Sequence, residues 1–271
     1  MNTGFIGAGN MAGALIRGFV KAGISADTIY AYNRSPQKAE SLKKECNINF
    51  AASYKDILDN CRIVVLAVKP HLMAGMLNDI KKDLDKSRHV LLSIAAGTSL
   101  DMLTKFAGVK GMPVIRVMPN VNVSVGEGVT ALCRNEFVQD ADYEYAMTLF
   151  SGVGKAVEIE ERMFPIFGAL AGSSPAFSYY FIEALARAAH KAGMPKSMAL
   201  EIAAQAVSGS AKMFLSANKH PWELIDMVCS PGGTTIEGIS ALEEYGFSTA
   251  VCKCLDACME KDRVIQEKNS K

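Results

Sequence analysis

The sequence has little of what usually settles a function early. One tryptophan and four histidines are spread over 271 residues, and the formal net charge is only +1. A near-neutral chain offers no electrostatic case for binding nucleic acid or an anionic membrane surface. No apolar run approaches the roughly 18 residues that a membrane span requires. The opening MNTGFIGAGN lacks the basic segment and cleavage site of an export signal, so a cytoplasmic protein is expected. Seven cysteines in such a chain read as reduced thiols. Cys252, Cys254 and Cys258 cluster in a helix-like stretch, yet Cys252 projects about 200° around the helix from Cys254. No histidine stands nearby to complete a set, so no metal site is expected.

What is present is organised. Through the first 160 or so residues, short β-rich runs alternate with amphipathic stretches: TGFIGAG, TIYAYN, INFAAS, RIVVLAVKP, HVLLSIAAG, VIRVMPN, GVTALC and AVEIE. That alternation predicts an α/β domain, a doubly wound parallel sheet of Rossmann type, over residues 1–161. After Glu161 only helical patterns remain, which predicts an all-α domain over 162–271. Its first helix is expected to start with Ser174 as cap and Pro175 at the first helical position, and to stop at Gly193. Several of these helices carry alanine or other apolar residues around most of their circumference. About 110 residues cannot enclose them all, so helices that interleave between subunits of a homo-oligomer are expected.

The segment FIGAGNMA places Gly7, Gly9 and Ala12 in the G-x-G-x-x-A spacing, directly after a strand and at the opening of a helix. Gly7 makes the tight turn, Gly9 admits the pyrophosphate to the backbone, and Ala12 lets helix and strand pack closely. Gly7, Ala8, Gly9, Asn10, Met11 and Ala12 are therefore the expected dinucleotide cradle. An NAD site commonly has an acidic residue at the end of the second strand, where this chain has Asn33, Arg34 and Ser35. Arg34 can pair with a 2′-phosphate, and Asn33 and Ser35 offer further donors. NADPH is the expected cofactor, with NADH as the alternative. Ligands of such sheets lie beyond the carboxyl ends of the strands. That rule nominates Ala67, Val68, Lys69 and Pro70 after the fourth strand, Ala95, Ala96 and Gly97 after the fifth, and Asn120, whose side chain offers an amide.

No histidine has a partnering pattern: His71, His89, His190 and His220 all read as structural. In the helical half, SPGGTT (Ser230 to Thr235) stands out instead. Its glycines allow φ > 0, and Thr234 or Thr235 is expected at a helix N-cap. Free backbone N–H groups and the positive helix end suit a carboxylate. Ser230, Gly232, Gly233, Thr234 and Thr235 are the expected substrate contacts. GSSP (Gly172 to Pro175) is a similar helix start with the same ambiguity between capping and binding.

With FIGAGNMA, AVKP, SIAAG, RVMPN, GEGVTAL, GSSPAF, HPWEL and SPGGTTIEGISALEE in order along the whole chain, the sequence resembles the pyrroline-5-carboxylate reductases. The resemblance implies NAD(P)H reduction of the cyclic imine Δ1-pyrroline-5-carboxylate to L-proline, the last step of proline biosynthesis. It also implies a Rossmann domain followed by a helical domain interlocked in a homodimer, with a higher homo-oligomer such as a decamer as the further expectation. By the same resemblance Thr234 and Thr235 hold the substrate carboxylate and ring nitrogen, with Thr235 as the residue nearest the chemistry. An imine that binds already protonated needs no strong acid, which explains why none is found. The chain departs from the family pattern at Val121, Asn122, Pro165, Gly168, Asn218 and Cys229. Two other functions share parts of this plan. A β-hydroxyacid dehydrogenase would want a lysine projecting from the first helix of the second half, where Lys191 comes only at the end. A non-enzymatic NADP-binding protein would not be expected to keep both AVKP and SPGGTT.

Overall fold

The computed structural model describes residues 1–269, with side chains through residue 267. Its strands are β1 (Thr3–Ile6), β2 (Ile29–Tyr32), β3 (Asn49–Phe50), β4 (Ile63–Leu66), β5 (Val90–Ser93), β6 (Val114–Pro119), β7 (Gly128–Arg134) and β8 (Gly154–Glu158). They form one sheet in the order β3-β2-β1-β4-β5-β6-β7-β8. β1 lies between β2 and β4, with Thr3 opposite both Ile29 and Ile63. The strand order therefore reverses at β1, and a doubly wound sheet binds its ligand at such a switch point.

One pairing departs from the parallel expectation: β6 and β7 run antiparallel, Ile115 opposite Arg134. Residues 120–127 join them through a 3-10 turn, Val121–Val125. That connection is too short for a crossover helix, which needs a dozen residues or more.

Both faces of the sheet are covered because alternate residues of each strand are apolar. Phe5, Val65, Leu92 and Ile115 point to one core, which α1 (Asn10–Lys21), α2 (Pro36–Cys46) and α6 (Asp140–Ser151) close with Phe19, Leu42 and Phe150. Ile6, Val64, Leu91 and Val114 point to the other, closed by α3 (Tyr54–Asn60), α4 (Pro70–Ile80) and α5 (Leu100–Ala107) with Ile57, Leu77 and Leu103. Each such side chain contributes about 1.5–3 kcal/mol on burial. Gly23, at φ 92, ends α1: its N–H bonds the Val20 carbonyl, and the Ile24 N–H bonds Phe19. This paired arrangement is the Schellman stop.

At the amino-terminal edge of the sheet His89 is 1% exposed. Its Nδ1 accepts from the Asp85 N–H at 3.0 Å and its Nε2 lies 2.8 Å from the Leu58 carbonyl. A carbonyl only accepts, so Nε2 carries the proton and the ring is neutral. Burial, the largest cause, holds its pKa below the ordinary histidine range. The unfolded chain therefore binds the proton more readily, and stability is lost as pH falls below about 6.5, the ordinary histidine value. His89→Gln should flatten the stability–pH curve between about 6.5 and 5, as followed by urea denaturation. A wild-type curve already flat there would refute the assignment.

Contacts group Met1–Gly172, together with the chain from Cys258 onward, into one compact unit, and Ser173–Ala257 into a second. The helical pattern thus begins near 161, whereas compactness divides the chain later. The stretch after Glu161 packs on the sheet because Phe164 is fully buried against Ala131 and Cys133, with the Arg116 guanidinium 4.2 Å from its ring centroid.

The second unit contains α8 (Ser174–Lys191), α9 (Lys196–Ala217), α10 (Pro221–Val228), α11 (Thr234–Glu244) and the first part of α12 (Phe247–Asn269). α8 and α9 form a hairpin around Ala186, Ala199 and Ala203. Gly193, at φ 102, ends α8 by the same Schellman bonds, from Gly193 to His190 and from Met194 to Ala189.

The expected start of α8 is corrected. The chain is already helical from α7 (Phe164–Phe167) through a π turn, Gly168–Ser173. Ser174 therefore lies inside the first turn, Ser173 takes the cap position, and no side-chain cap bond forms. A chain that arrives helical has no fresh row of N–H groups for a cap to satisfy. GSSP is consequently not a free helix start.

Candidate functional site

The cofactor turn has the geometry its glycines require. Gly7 sits at φ 109, and a Cβ there would lie 2.6 Å from the Ala67 carbonyl oxygen. Only glycine can bring the turn after β1 so close to the end of β4. Gly9 is different: φ −74 and ψ −176 suit any residue, and nothing lies within 4 Å of the position its Cβ would take. That open space faces the start of α1, whose first N–H groups, at Asn10 and Met11, have no acceptor within the helix. An open approach, bare amides and a positive helix end fit a pyrophosphate. Ala12, 1% exposed, packs into the core beneath.

At the end of β2 the three nominated residues separate. The Asn33 carboxamide oxygen accepts from the Ala8 N–H at 2.9 Å, and its amide donates to the Ser35 carbonyl at 2.8 Å. Asn33 thus ties the glycine turn to the β2 loop. Arg34 and Ser35 are exposed. Next to them Tyr32 and Tyr54 pair with ring centroids 4.6 Å apart.

Beyond β4, Ala67, Val68 and Pro70 are half-buried, whereas Lys69 is exposed and occupies the N-cap of α4. Beyond β5, Ala95 and Gly97 are buried and Ala96 is exposed. Gly97 takes φ 67, which turns the chain toward α5.

Asn120 is held within the fold. It is 4% exposed, its amide donates to the Ala171 carbonyl at 3.0 Å, and its oxygen accepts from the Val129 N–H at 3.1 Å. A buried carboxamide must satisfy its own polar atoms. Here it does so by fastening the end of β6 to the π turn and β7.

SPGGTT forms a tight turn: the Gly233 N–H bonds the Ser230 carbonyl at 2.9 Å, and Gly232 takes φ 65. Pro at the second position and a left-handed glycine at the third are the signature of a type II turn. Gly233 has φ −82, so only one of the two glycines uses the left-handed region. It is Gly233, rather than either threonine, that holds the N-cap of α11, and no side chain caps the helix. Thr234 and Thr235 are the first two helical residues, Thr234 exposed and Thr235 half-buried. Their N–H groups, in the first turn of α11, have no acceptor within the helix, which suits an anion.

Of the histidines, His190 bonds the Met194 carbonyl at 2.9 Å, and His220 accepts from the Trp222 N–H at 3.3 Å as the cap of α10. Asn218, where the family pattern has an acid, ends α9 in the left-handed conformation at φ 40. Asparagine tolerates that geometry better than most residues.

Sequence reasoning passed over one cluster. Arg116, 5% exposed within β6, pairs with Glu161 at 2.9 Å. The same Glu161 oxygen accepts the Leu100 N–H at 2.7 Å. The available signal was an arginine at the centre of the apolar run VIRVMPN. A surface cavity of about 560 Å³, lined by Arg134, Asp140, Tyr143 and Glu158 among others, includes none of the nominated residues. Among the described residues, no group of three or more His, Cys, Asp or Glu could hold a metal ion.

Two family models match the chain: one described as NADP oxidoreductase, coenzyme F420-dependent, over residues 2–97, and one described as pyrroline-5-carboxylate reductase dimerisation, over 161–265. The chain is 43% identical to the pyrroline-5-carboxylate reductase of Escherichia coli over 97% of its own length and 98% of that protein's. The solved structure of a pyrroline-5-carboxylate reductase from Coxiella burnetii matches with a TM-score of 0.91 at 32% identity, covering 97% of each chain. That of Plasmodium falciparum pyrroline carboxylate reductase with NADP bound matches at 0.86 and 31% identity, covering 98% of each.

Proposed function

The chain belongs to the pyrroline-5-carboxylate reductase family, NAD(P)H-dependent oxidoreductases of proline biosynthesis, and on that premise we propose how its residues divide the work. Bound NAD(P)H supplies the hydride that reduces the C=N bond of Δ1-pyrroline-5-carboxylate to give L-proline. Residues 1–161 hold the cofactor and residues 162–271 hold the substrate and the partner subunit.

Gly7 to Ala12 cradle the pyrophosphate, and Gly9 carries this reading because its approach is open while Gly7's is closed by the Ala67 carbonyl. Arg34 and Ser35 receive a 2′-phosphate, with Asn33 holding their loop to the turn through Ala8. NADPH is then preferred, and the NADP bound to the Plasmodium falciparum relative supports that preference. Ala67 to Pro70 and Ala95 to Gly97 line the nicotinamide side. Small side chains there leave room for the ring and keep water out.

Ser230, Gly232 and Thr234 present backbone N–H groups and hydroxyls to the substrate carboxylate, Gly233 closes the turn that presents them through its own bond to the Ser230 carbonyl, and Thr235 bonds the ring nitrogen. These contacts orient a ready-protonated imine, so alignment replaces acid catalysis. Thr235→Val removes one hydroxyl at nearly constant volume, at a residue that caps nothing. It should lower kcat/KM for the pyrroline about 10- to 100-fold, the worth of a hydrogen bond to a charged group. Melting temperature and NADPH affinity should not change. Steady-state assays of cofactor oxidation decide it, and normal turnover would remove Thr235 from the site.

Tyr180, Leu185, Ile202, Met213, Leu215 and Tyr245 leave the second unit with extensive apolar surface, Leu215 being 78% exposed. A lone soluble chain seldom exposes such a surface. We read it as the interface of a homodimer with interlocked helices, extended to a higher oligomer such as a decamer, in accord with the matching dimerisation model. No described helix is long and apolar enough to cross a membrane. The reading places the enzyme in the cytoplasm with small-molecule substrates.

A further inference from the structure

We propose that Glu161, held in place by Arg116, is a positioning residue for the loop that follows β5, and through it for hydride transfer. The inference rests on the reading that Ala95 to Gly97 line the nicotinamide side. One end of that loop is fixed by the ladder: β5 pairs with β4 on one side and β6 on the other. Its other end is the start of α5. There Ser99 caps the Met102 N–H locally at 3.2 Å, and the Leu100 N–H, orphaned at the first helical position, is taken at 2.7 Å by Glu161.

Glu161 lies 61 residues further along the chain, so this second cap is a tertiary contact and cannot form from local sequence. A carboxylate at a helix N-terminus is favoured by the helix dipole as well as by the bond itself. Arg116 prevents that carboxylate from turning to solvent. Its Nη1 donates to the same oxygen at 2.9 Å, and its guanidinium plane is pinned over Phe164. Arg116 is almost fully buried in the middle of β6, directly opposite Ser93, the last residue of β5.

The outcome is a rigid bracket. Strand β6, the head of α5 and the first residue of the family's dimerisation segment meet at one carboxylate oxygen. Between the bracket and β5 the loop has only Gly97 in the left-handed region, so its path is set by its two fixed ends. Releasing the α5 end leaves Ala95 and Ala96 free to move by a fraction of an ångström or more. Hydride transfer is steeply sensitive to such displacement, while the remote adenosine contacts at the β2 loop are not.

The test uses the full-length protein and separates those two ends of the cofactor site. Glu161→Ala should lower kcat about 10- to 100-fold while the Kd of adenosine 2′,5′-bisphosphate, which probes only the adenosine half, stays within about twofold. Glu161→Gln keeps an acceptor oxygen and should recover most of the lost kcat. Wild-type turnover by Glu161→Ala, or loss of bisphosphate affinity in step with kcat, would overturn the proposal. If Glu161→Ala does not fold, Arg116→Lys keeps the cation but not the planar fork, and it should lower kcat at least about fivefold; unchanged kcat would again overturn it. Ala96→Leu tests the underlying reading by placing bulk on the loop. An impaired Ala96→Leu with a normal Glu161→Ala sinks the positioning role alone. A normal Ala96→Leu sinks the nicotinamide assignment, and the proposal with it.

Discussion

Gly9→Ala should leave the melting temperature unchanged and weaken NADPH about 10- to 100-fold, whereas Gly7→Ala should do the reverse in order of damage, unfolding before it unbinds. The contrast follows from two neighbouring glycines with different constraints. At Gly9 the backbone angles suit alanine and no atom is near, so a methyl group costs the folded chain nothing. It does fill the space through which phosphate oxygens reach the Asn10 and Met11 amides.

At Gly7 the φ of 109° lies beyond the left-handed region that alanine can enter, and the new methyl meets the Ala67 carbonyl oxygen at 2.6 Å. Strain of about 3 kcal/mol is expected, equivalent to a fall in Tm of about 6–12 °C for a chain of this size. Calorimetry on both variants, with a fluorescence titration of NADPH, gives the answer. Equal loss of stability in the two would mean that the turn is structural throughout. Normal NADPH affinity in Gly9→Ala would mean that no phosphate approaches there.

Arg34→Ala is expected to raise the KM for NADPH about 10- to 100-fold and to change that for NADH by less than about twofold. The guanidinium is exposed at the end of β2, so what it offers a cofactor is charge-assisted donors for a 2′-phosphate that NADH lacks. Asn33 brings no charge to replace it, and its carboxamide already ties the loop to Ala8 and Ser35. The loop itself should therefore keep its shape in the variant. Raised salt should narrow the NADPH-to-NADH gap in the wild type, because an exposed ion contact is screened. Equal losses for both cofactors would assign Arg34 to the loop's structure and leave the preference to other residues.

Several expectations fared differently according to how local their causes are. The strand positions and the stop at Gly193 were legible, since each depends on residues within a few positions of one another, and the alternation of strands and helices implied the doubly wound plan except at the antiparallel pair of β6 and β7. The reduction of the pyrroline was legible through motifs in a fixed order. The bonds that hold Asn120 were not legible, because its partners, Ala171 and Val129, lie elsewhere in the sequence. SPGGTT was recognised as a turn, but the cap passed to Gly233 because the backbone, closed by the Ser230 carbonyl, starts the helix one residue after it.

The amino-acid sequence by itself determined the pattern of strands and helices, the glycine turn and the family of reaction, because periodicity, left-handed glycines and short motifs act over one or two turns of chain. Tertiary structure alone decided which polar groups remain available. Asn33 and Asn120 became fasteners, and Glu161 reached across 61 residues to cap α5 beside Arg116. Those assignments depend on which atoms lie within about 3 Å once the sheet has closed, and a buried donor or acceptor takes whatever partner the fold brings to it.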